Sequence, residues 1–284
     1  MPRHEPTKHG TPALIADMRN DENVQASQLH AAMLAFHNEV LAALTGPDCE
    51  QYAQACQLVR WTYQYVVLND YLPRVYDPCV VADVLANAPR VFSPAATGAE
   101  LFMPLEFSVA GFRFGHSMIR PFYELNGVSG EIPINRLLDA GAERSQSNGR
   151  LRNELVVNWN FFAEGGSNVQ KAGKIDPRIV QGLFELPFGN CDPVLANLAR
   201  RNLLRAYLLN IPTGQACAAA MGIVPLQAAD LLHGEPGEIT EPLCNDRLTA
   251  RTPLWCYVLK EASVCIPEAR HWARWAVVSS PRHW

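Results

Sequence analysis

The stretch EFSVAGFRFGHSMIRPFYELN, Glu106–Asn126, carries a histidine, His116, three residues after an arginine, Arg113. At helical spacing the two side chains share a face, one turn apart. Gly115 beside them weakens a helix by roughly 1 kcal/mol relative to alanine, which suggests that something flat comes close to the backbone there. An imidazole can ligate haem iron while a nearby guanidinium pairs with a propionate. The same residues also read as a core histidine bonded to a carbonyl, with Arg113 extending its charged end to water. A second cluster is LARRNLLR, Leu198–Arg205, in which Asn202 and Arg205 are three apart and share a face. Asparagine is an odd choice inside an apolar helix because its amide competes for backbone bonds. A buried one needs a partner, and the outer N–H of a ligand histidine would serve. The third cluster is DMRNDEN, Asp17–Asn23, where Arg19 sits among acids and amides ahead of a helix. Taken alone, that is a capping loop.

The composition bounds what such clusters can belong to. With 284 residues, 48% apolar and 18% charged, the chain is globular and long enough for one large domain or two small ones. A net charge of −4 argues against nucleic acid as a partner. No run of eighteen apolar residues occurs, so no membrane span is expected. The first residues, MPRHEPTKHGTPALIAD, lack the apolar core of a signal peptide, and localisation is left unassigned. Eight cysteines are scattered without a CxxC pair, which fits neither zinc nor a redox dithiol and leaves buried or free thiols.

The elements that must position these residues are nearly all helical. Over 23–45, Leu29, Met33, Phe36, Val40 and Leu41 form a 3.6-residue stripe, with Asn20 and Asp21 as cap candidates and Glu22 near the helix start. After GPD at 46–48 a second helix runs to about Leu72, ended by Pro73 and Pro78. A short helix comes next at 80–88, then a loop at 90–103. Pro104 suits the first turn of the helix that carries His116, whose apolar stripe is Phe107, Ala110, Gly111 and Phe114, and Pro121 closes it. Residues 126–154 read as loop, and the state of 155–163 is left open. A long helix is expected over 193–210, ended by Asn210, with Thr213 capping the next short one. PLQAADLLHG is another, and 253–264 is the last. The fold class is mainly α.

The three clusters together, with QLHAAMLAFHN at Gln28–Asn38 and LLNIPTGQ after Tyr207, resemble the animal-type haem peroxidases, and their bacterial members in particular. The resemblance runs from about Asp17 to Ala262 and implies a helical haem-peroxidase domain at 17–265. By resemblance, His116 is the proximal haem ligand. Asn202 is the residue that bonds its outer nitrogen, and Arg113 and Arg205 bind propionates. Arg19 is the distal arginine that polarises the peroxide O–O bond, and Glu22 is a carboxylate that mammalian members esterify to a haem methyl. The implied cofactor is haem b, ester-linked through Glu22 if that reaction occurs here. His30 and His37 match helix histidines read as structural. Asn23 stands where one mammalian member links a methionine to haem, so no sulfonium bond can form. Arg113 occupies the place of the radical tyrosine of the cyclooxygenases, which disfavours lipid oxygenation.

Two parts of the family pattern are not found. The distal histidine, with the aspartate beside it that binds calcium, lies upstream of the RNDEN segment in the family. Here residues 1–16 resemble the family's linker, and His4 and His9 do not match that helix. At the other end, residues 266–284 depart from the family's LGPVGGRIVAE. A frameshift between about Val264 and Pro267 would account for this, because ARHWARWAVVS can be written in codons whose shifted frame gives PALGPVGGRIV. The expected function is peroxide reduction coupled to oxidation of a small donor, incomplete in this chain unless a separate distal-half polypeptide joins it. The alternative is a non-catalytic haem-binding remnant or the product of a decayed gene.

Overall fold

The computed structural model describes residues 17, 20, 23–87, 102–139, 151–186, 193–236, 241, 243, 244 and 247–264. The expectations for the linker at 1–16, for Arg19 and Glu22, and for the tail at 266–284 lie outside them. The described residues are mainly helical and divide into two compact units. One falls within 1–64, 120–172 and 180–197, the other within 65–119, 173–179 and 198–284.

In the first unit, α1 spans Val24–Ala43. Its cap is Asn23, not the expected Asn20 or Asp21: Asn23 Oδ1 accepts the Ala26 N–H at 2.8 Å, satisfying one of the four orphan donors of the first turn. The helical stripe is only partly covered: Met33, Val40 and Leu41 are half-buried, whereas Leu29 is 53% and Phe36 37% exposed. After a turn at Gly46, α2 runs over Asp48–Val66. Residues 126–154, expected as loop, contain β2 (Glu131–Pro133), which pairs antiparallel with β1 (Phe122–Glu124), Tyr123 opposite Ile132. Asn126 builds its turn, since Oδ1 accepts from Val128 and Ser129 N–H at 2.9 and 3.0 Å. The missed signal was Asn126-Gly127 between apolar residues. Val24, Leu125, Leu137, Leu155 and Val157 form this unit's core. Gln28 ties α1 to it, donating to Leu155 O at 2.9 Å and accepting from Val157 N–H at 2.8 Å.

In the second unit the helix does not stop at Pro73. The five residues Val67–Tyr71 form a π turn, in which the Leu72 N–H reaches back to Val67 O, and α3 (Leu72–Val75) continues with Pro73 in its first turn. A proline has no N–H to donate, and a π turn absorbs the missing bond without breaking the chain's course. Next comes α4, Pro78–Asn87, where Asp77 Oδ1 accepts the Cys79 N–H at 2.9 Å. The remaining helices are α5 (Leu105–Val109), a 3-10 helix (Gly111–Met118), α7 (Leu198–Leu208), α8 (Gly214–Ala220), α9 (Ala228–Leu232) and α10 (Leu254–Val264). Leu198 opens α7 because the long helix expected over 193–210 breaks at Asn197, which leaves α6 (Pro193–Ala196) to the first unit.

The centre of the second unit is α10. Leu254, Trp255, Tyr257, Val258, Leu259, Lys260, Glu261 and Ala262 are all buried, so it is covered on nearly every side. Thr213 caps α8 as expected, accepting from Ala216 N–H at 3.3 Å. Gly214 is where α8 meets Tyr257, and any Cβ there would collide with the ring. Lys260 pairs in this core with Glu235 Oε1 at 2.7 Å and donates to His233 O, as a buried ammonium must be paired.

Candidate functional site

The helix carrying His116 is broken at Ala110, whose φ of −128° and ψ of −60° leave the α basin. Beyond Ala110 the chain winds into a 3-10 helix of 8 residues. Runs of that length are uncommon and mark hinges or functional places. With three residues per turn, side chains three apart eclipse. The burial follows this period: Gly111, Phe114 and Ser117 are buried, while Arg113 and His116 share a half-buried face. The sequence stripe was right in its residues, for Phe107, Ala110, Gly111 and Phe114 are all buried. It was wrong in its helix type.

Three contacts fix this segment. Trp255 Nε1 donates to Arg113 O at 3.1 Å from α10. The Gly173 N–H donates to Met118 O at 2.8 Å, and a Cβ on Gly173 would come within 2.9 Å of Ser117 O, so only glycine permits the approach. The third contact is with α7. Leu198, Asn202 and Ala206 are its buried face, and Asn202 Nδ2 lies 3.1 Å from His116 Nδ1.

The Asn202 amide is 1% exposed, and its Oδ1 finds no donor among the described residues. A half-turn of the amide exchanges its oxygen and nitrogen at nearly the same positions. It would bring Oδ1 onto an Nδ1–H and remove the orphaned acceptor. The imidazole would then carry its proton on Nδ1 and leave Nε2 with a free lone pair. His116 is also held neutral: burial, then the charges of Arg113, Arg201 and Arg205, push its pKa down to about 4. A neutral imidazole with one nitrogen bonded and the other open is the form that binds a metal.

The second unit thus brings together four of the residues singled out in the sequence: Arg113, His116, Asn202 and Arg205. Arg201 and Trp255 belong with them and were missed. The signal for Trp255 was a tryptophan in an apolar helix, whose N–H must find an acceptor when buried. Arg201 had none beyond its place before Asn202. Gly115 has no atom within 4 Å of where its Cβ would lie, so space is open at this point of the backbone. Among the described residues no three His, Cys, Asp or Glu gather as ligands for a bare ion. A haem brings four nitrogens of its own and requires one protein ligand, so this chemistry fits the donor set. His30 and His37 lie on α1, in the first unit, where His37 Nε2 is 3.5 Å from Cys56 Sγ.

The model of the animal haem peroxidase family matches residues 2–210. A peroxidase-like protein of Margaritifera margaritifera is 29% identical over 194 residues, covering 62% of this chain and 23% of its own. Thyroid peroxidase of Sus scrofa is 26% identical over 189 residues, covering 63% and 18%. Among solved structures, peroxidase A from Dictyostelium discoideum superposes with a TM-score of 0.59 at 19% identity over 93% of this chain and 49% of its own, a likeness of fold. The chain therefore spans less than a quarter of these curated relatives and about half of that solved chain.

Proposed function

This chain belongs to the animal haem peroxidase family, and from that premise we propose that its second unit holds haem, with His116 as the residue that would ligate the iron. The observation that carries the reading is the pairing of the buried Asn202 amide with half-buried His116 at 3.1 Å. A fully enclosed asparagine amide with one unused acceptor is costly, by about 1–3 kcal/mol, unless it serves the imidazole.

Family membership supports a peroxidase-like function, with hydrogen peroxide and a small electron donor as substrates. Haem, when bound, supplies the iron at which peroxide is reduced and through which electrons leave the donor. The chain's own residues do the rest. His116 binds through Nε2. Asn202 accepts from Nδ1–H, fixes the tautomer and makes the imidazole more basic. Arg113 and Arg205 hold the propionates as charge-assisted pairs. Arg19 donates hydrogen bonds to peroxide and polarises the O–O bond. Glu22 is the carboxylate within the family pattern for an ester to a haem methyl.

Proton transfer from and to peroxide needs a distal base, worth about 10²–10⁴-fold. We assign it to polypeptide outside these 284 residues, a distal half that also brings the family's calcium. The isolated chain then binds haem with little turnover. Titrating the apo chain with hemin should give a Soret shift that His116→Ala abolishes, and a shift that survives this substitution would remove His116 from the ligand role. Adding a distal-half polypeptide from a relative should raise the peroxidase rate. No gain would sink the two-piece part of the reading and leave a non-catalytic haem binder.

A further inference from the structure

In the first unit, the turn between α1 and α2 folds three reactive side chains together. Cys56 Sγ, half-buried on α2, lies 3.5 Å from His37 Nε2 on α1. Tyr52, one turn before Cys56 on the same face, stacks edge-on against the His37 ring at 5.6 Å between centroids. The Tyr52 hydroxyl is hydrogen-bonded to Cys56, and that bond and the charge of the sulfur hold the phenol above its ordinary range. The phenol therefore keeps its proton and is placed to donate to the sulfur.

The chain's other described thiols lack this arrangement. Burial pushes Cys217 up to about 12 and Cys256 up to about 11, so both stay protonated. Cys49, Cys79 and Cys244 are exposed, and among the described residues none has an imidazole against its sulfur. Only the thiolate is nucleophilic, and an adjacent base together with a hydrogen-bond donor is what activates it.

We propose that Cys56 is a peroxide-reactive thiol, with His37 as its base and Tyr52 as the donor that steadies its thiolate. The Cys56 S–H proton passes to His37 Nε2. The sulfur then attacks one oxygen of hydrogen peroxide, an S–O bond forms and the O–O bond breaks. The departing hydroxide takes the proton back from the imidazolium and leaves as water. The sum is Cys–SH plus H2O2 giving Cys–SOH plus H2O, with sulfur oxidised and peroxide reduced. Such a sulfenic acid is reversible by thiols. This site does not depend on haem, and its failure would leave the reading of His116 untouched.

The test is a brief exposure of the full chain to hydrogen peroxide with a cyclic 1,3-diketone present to trap sulfenic acid, followed by peptide mass spectrometry. Cys56 should be trapped about tenfold faster than Cys49, Cys79 and Cys244, a modest share of what a positioned base supplies. In His37→Asn and Tyr52→Phe that ratio should fall toward one. An unfolding transition followed by the fluorescence of Trp61 and Trp159, both in the first unit, certifies that each variant is folded there. If His37→Asn fails that criterion, the wild-type ratio and Tyr52→Phe decide. Equal or slower trapping of Cys56 in the wild-type chain overturns the proposal, as does an unchanged ratio in a folded variant.

Discussion

Asn202 and His116 form a pair in which each explains the other's burial. An enclosed amide is unfavourable without partners, and an imidazole that must ligate needs one nitrogen spoken for. Asn202→Ala removes the orienting acceptor but adds no bulk. Its expected effect is a 10–100-fold loss of hemin affinity, read by Soret titration, with a rise in reduction potential because the imidazole becomes a poorer donor. Asn202→Asp should move the potential the opposite way. A merely structural asparagine would shift stability and leave the potential where it was.

The charges beside His116 give a second residue-scale prediction. Burial, with Arg113, Arg201 and Arg205, lowers its folded pKa from 6.5 to about 4. Above pH 6.5 it is neutral folded and unfolded, so it contributes no pH dependence. As pH falls from 6.5 toward 4, the unfolded chain takes up a proton that the folded chain refuses, and stability falls. Below about pH 4 the loss levels off. Its full extent is on the order of 3 kcal/mol. Urea midpoints of the apo chain and His116→Gln between pH 7.5 and 4.5 should converge as the pH drops, since the variant lacks this term. Parallel curves would mean that the imidazole titrates normally. Composition made these residues visible in the sequence: a histidine and an asparagine stand out on apolar helices, whereas Arg201 becomes notable only once α7 brings it near His116.

At the scale of elements, periodicity identified which residues turn inward more reliably than the helix that carries them. Phe107, Ala110, Gly111 and Phe114 are buried, yet the chain passes from α to 3-10 between them. An i, i+3 pair sits on one face in either form, so the spacing of Arg113 and His116 could not tell the two apart. The stripe of α1 shows the converse. Its spacing is helical and α1 forms, but Leu29 and Phe36 remain exposed, because a pattern records a helix's apolar side and not what covers it. The π turn before Pro73 and the hairpin after Glu124 escaped for a common reason: each rests on backbone bonds between residues that carry no periodic signal. Gly115 supplies the test at this scale. A Cβ there meets nothing within 4 Å, so Gly115→Ala should fold with stability unchanged or raised by up to about 1 kcal/mol. If a flat group lies against this backbone, the same methyl should weaken hemin binding several-fold. Unchanged hemin affinity would place that group elsewhere.

At the scale of the molecule, each unit has its own core, and the ligand proposed here belongs to only one of them. The second unit holds α10 at its centre and the His116–Asn202 pair at one side, so what binds there stabilises that unit by mass action. No helix among the described residues is long and apolar enough to cross a membrane. Hemin at about 100 times its dissociation constant should add about 2.7 kcal/mol to the unfolding free energy of the second unit. Trp255, bonded to the His116 helix, gives a fluorescence signal near the site, while Trp61 and Trp159 belong to the first unit. The gain should appear in the transition followed near the site, vanish when hemin is removed, and be absent in His116→Ala. A gain that persists in His116→Ala would mean that hemin binds this chain as an apolar surface ligand, because only axial ligation ties the stabilisation to one imidazole.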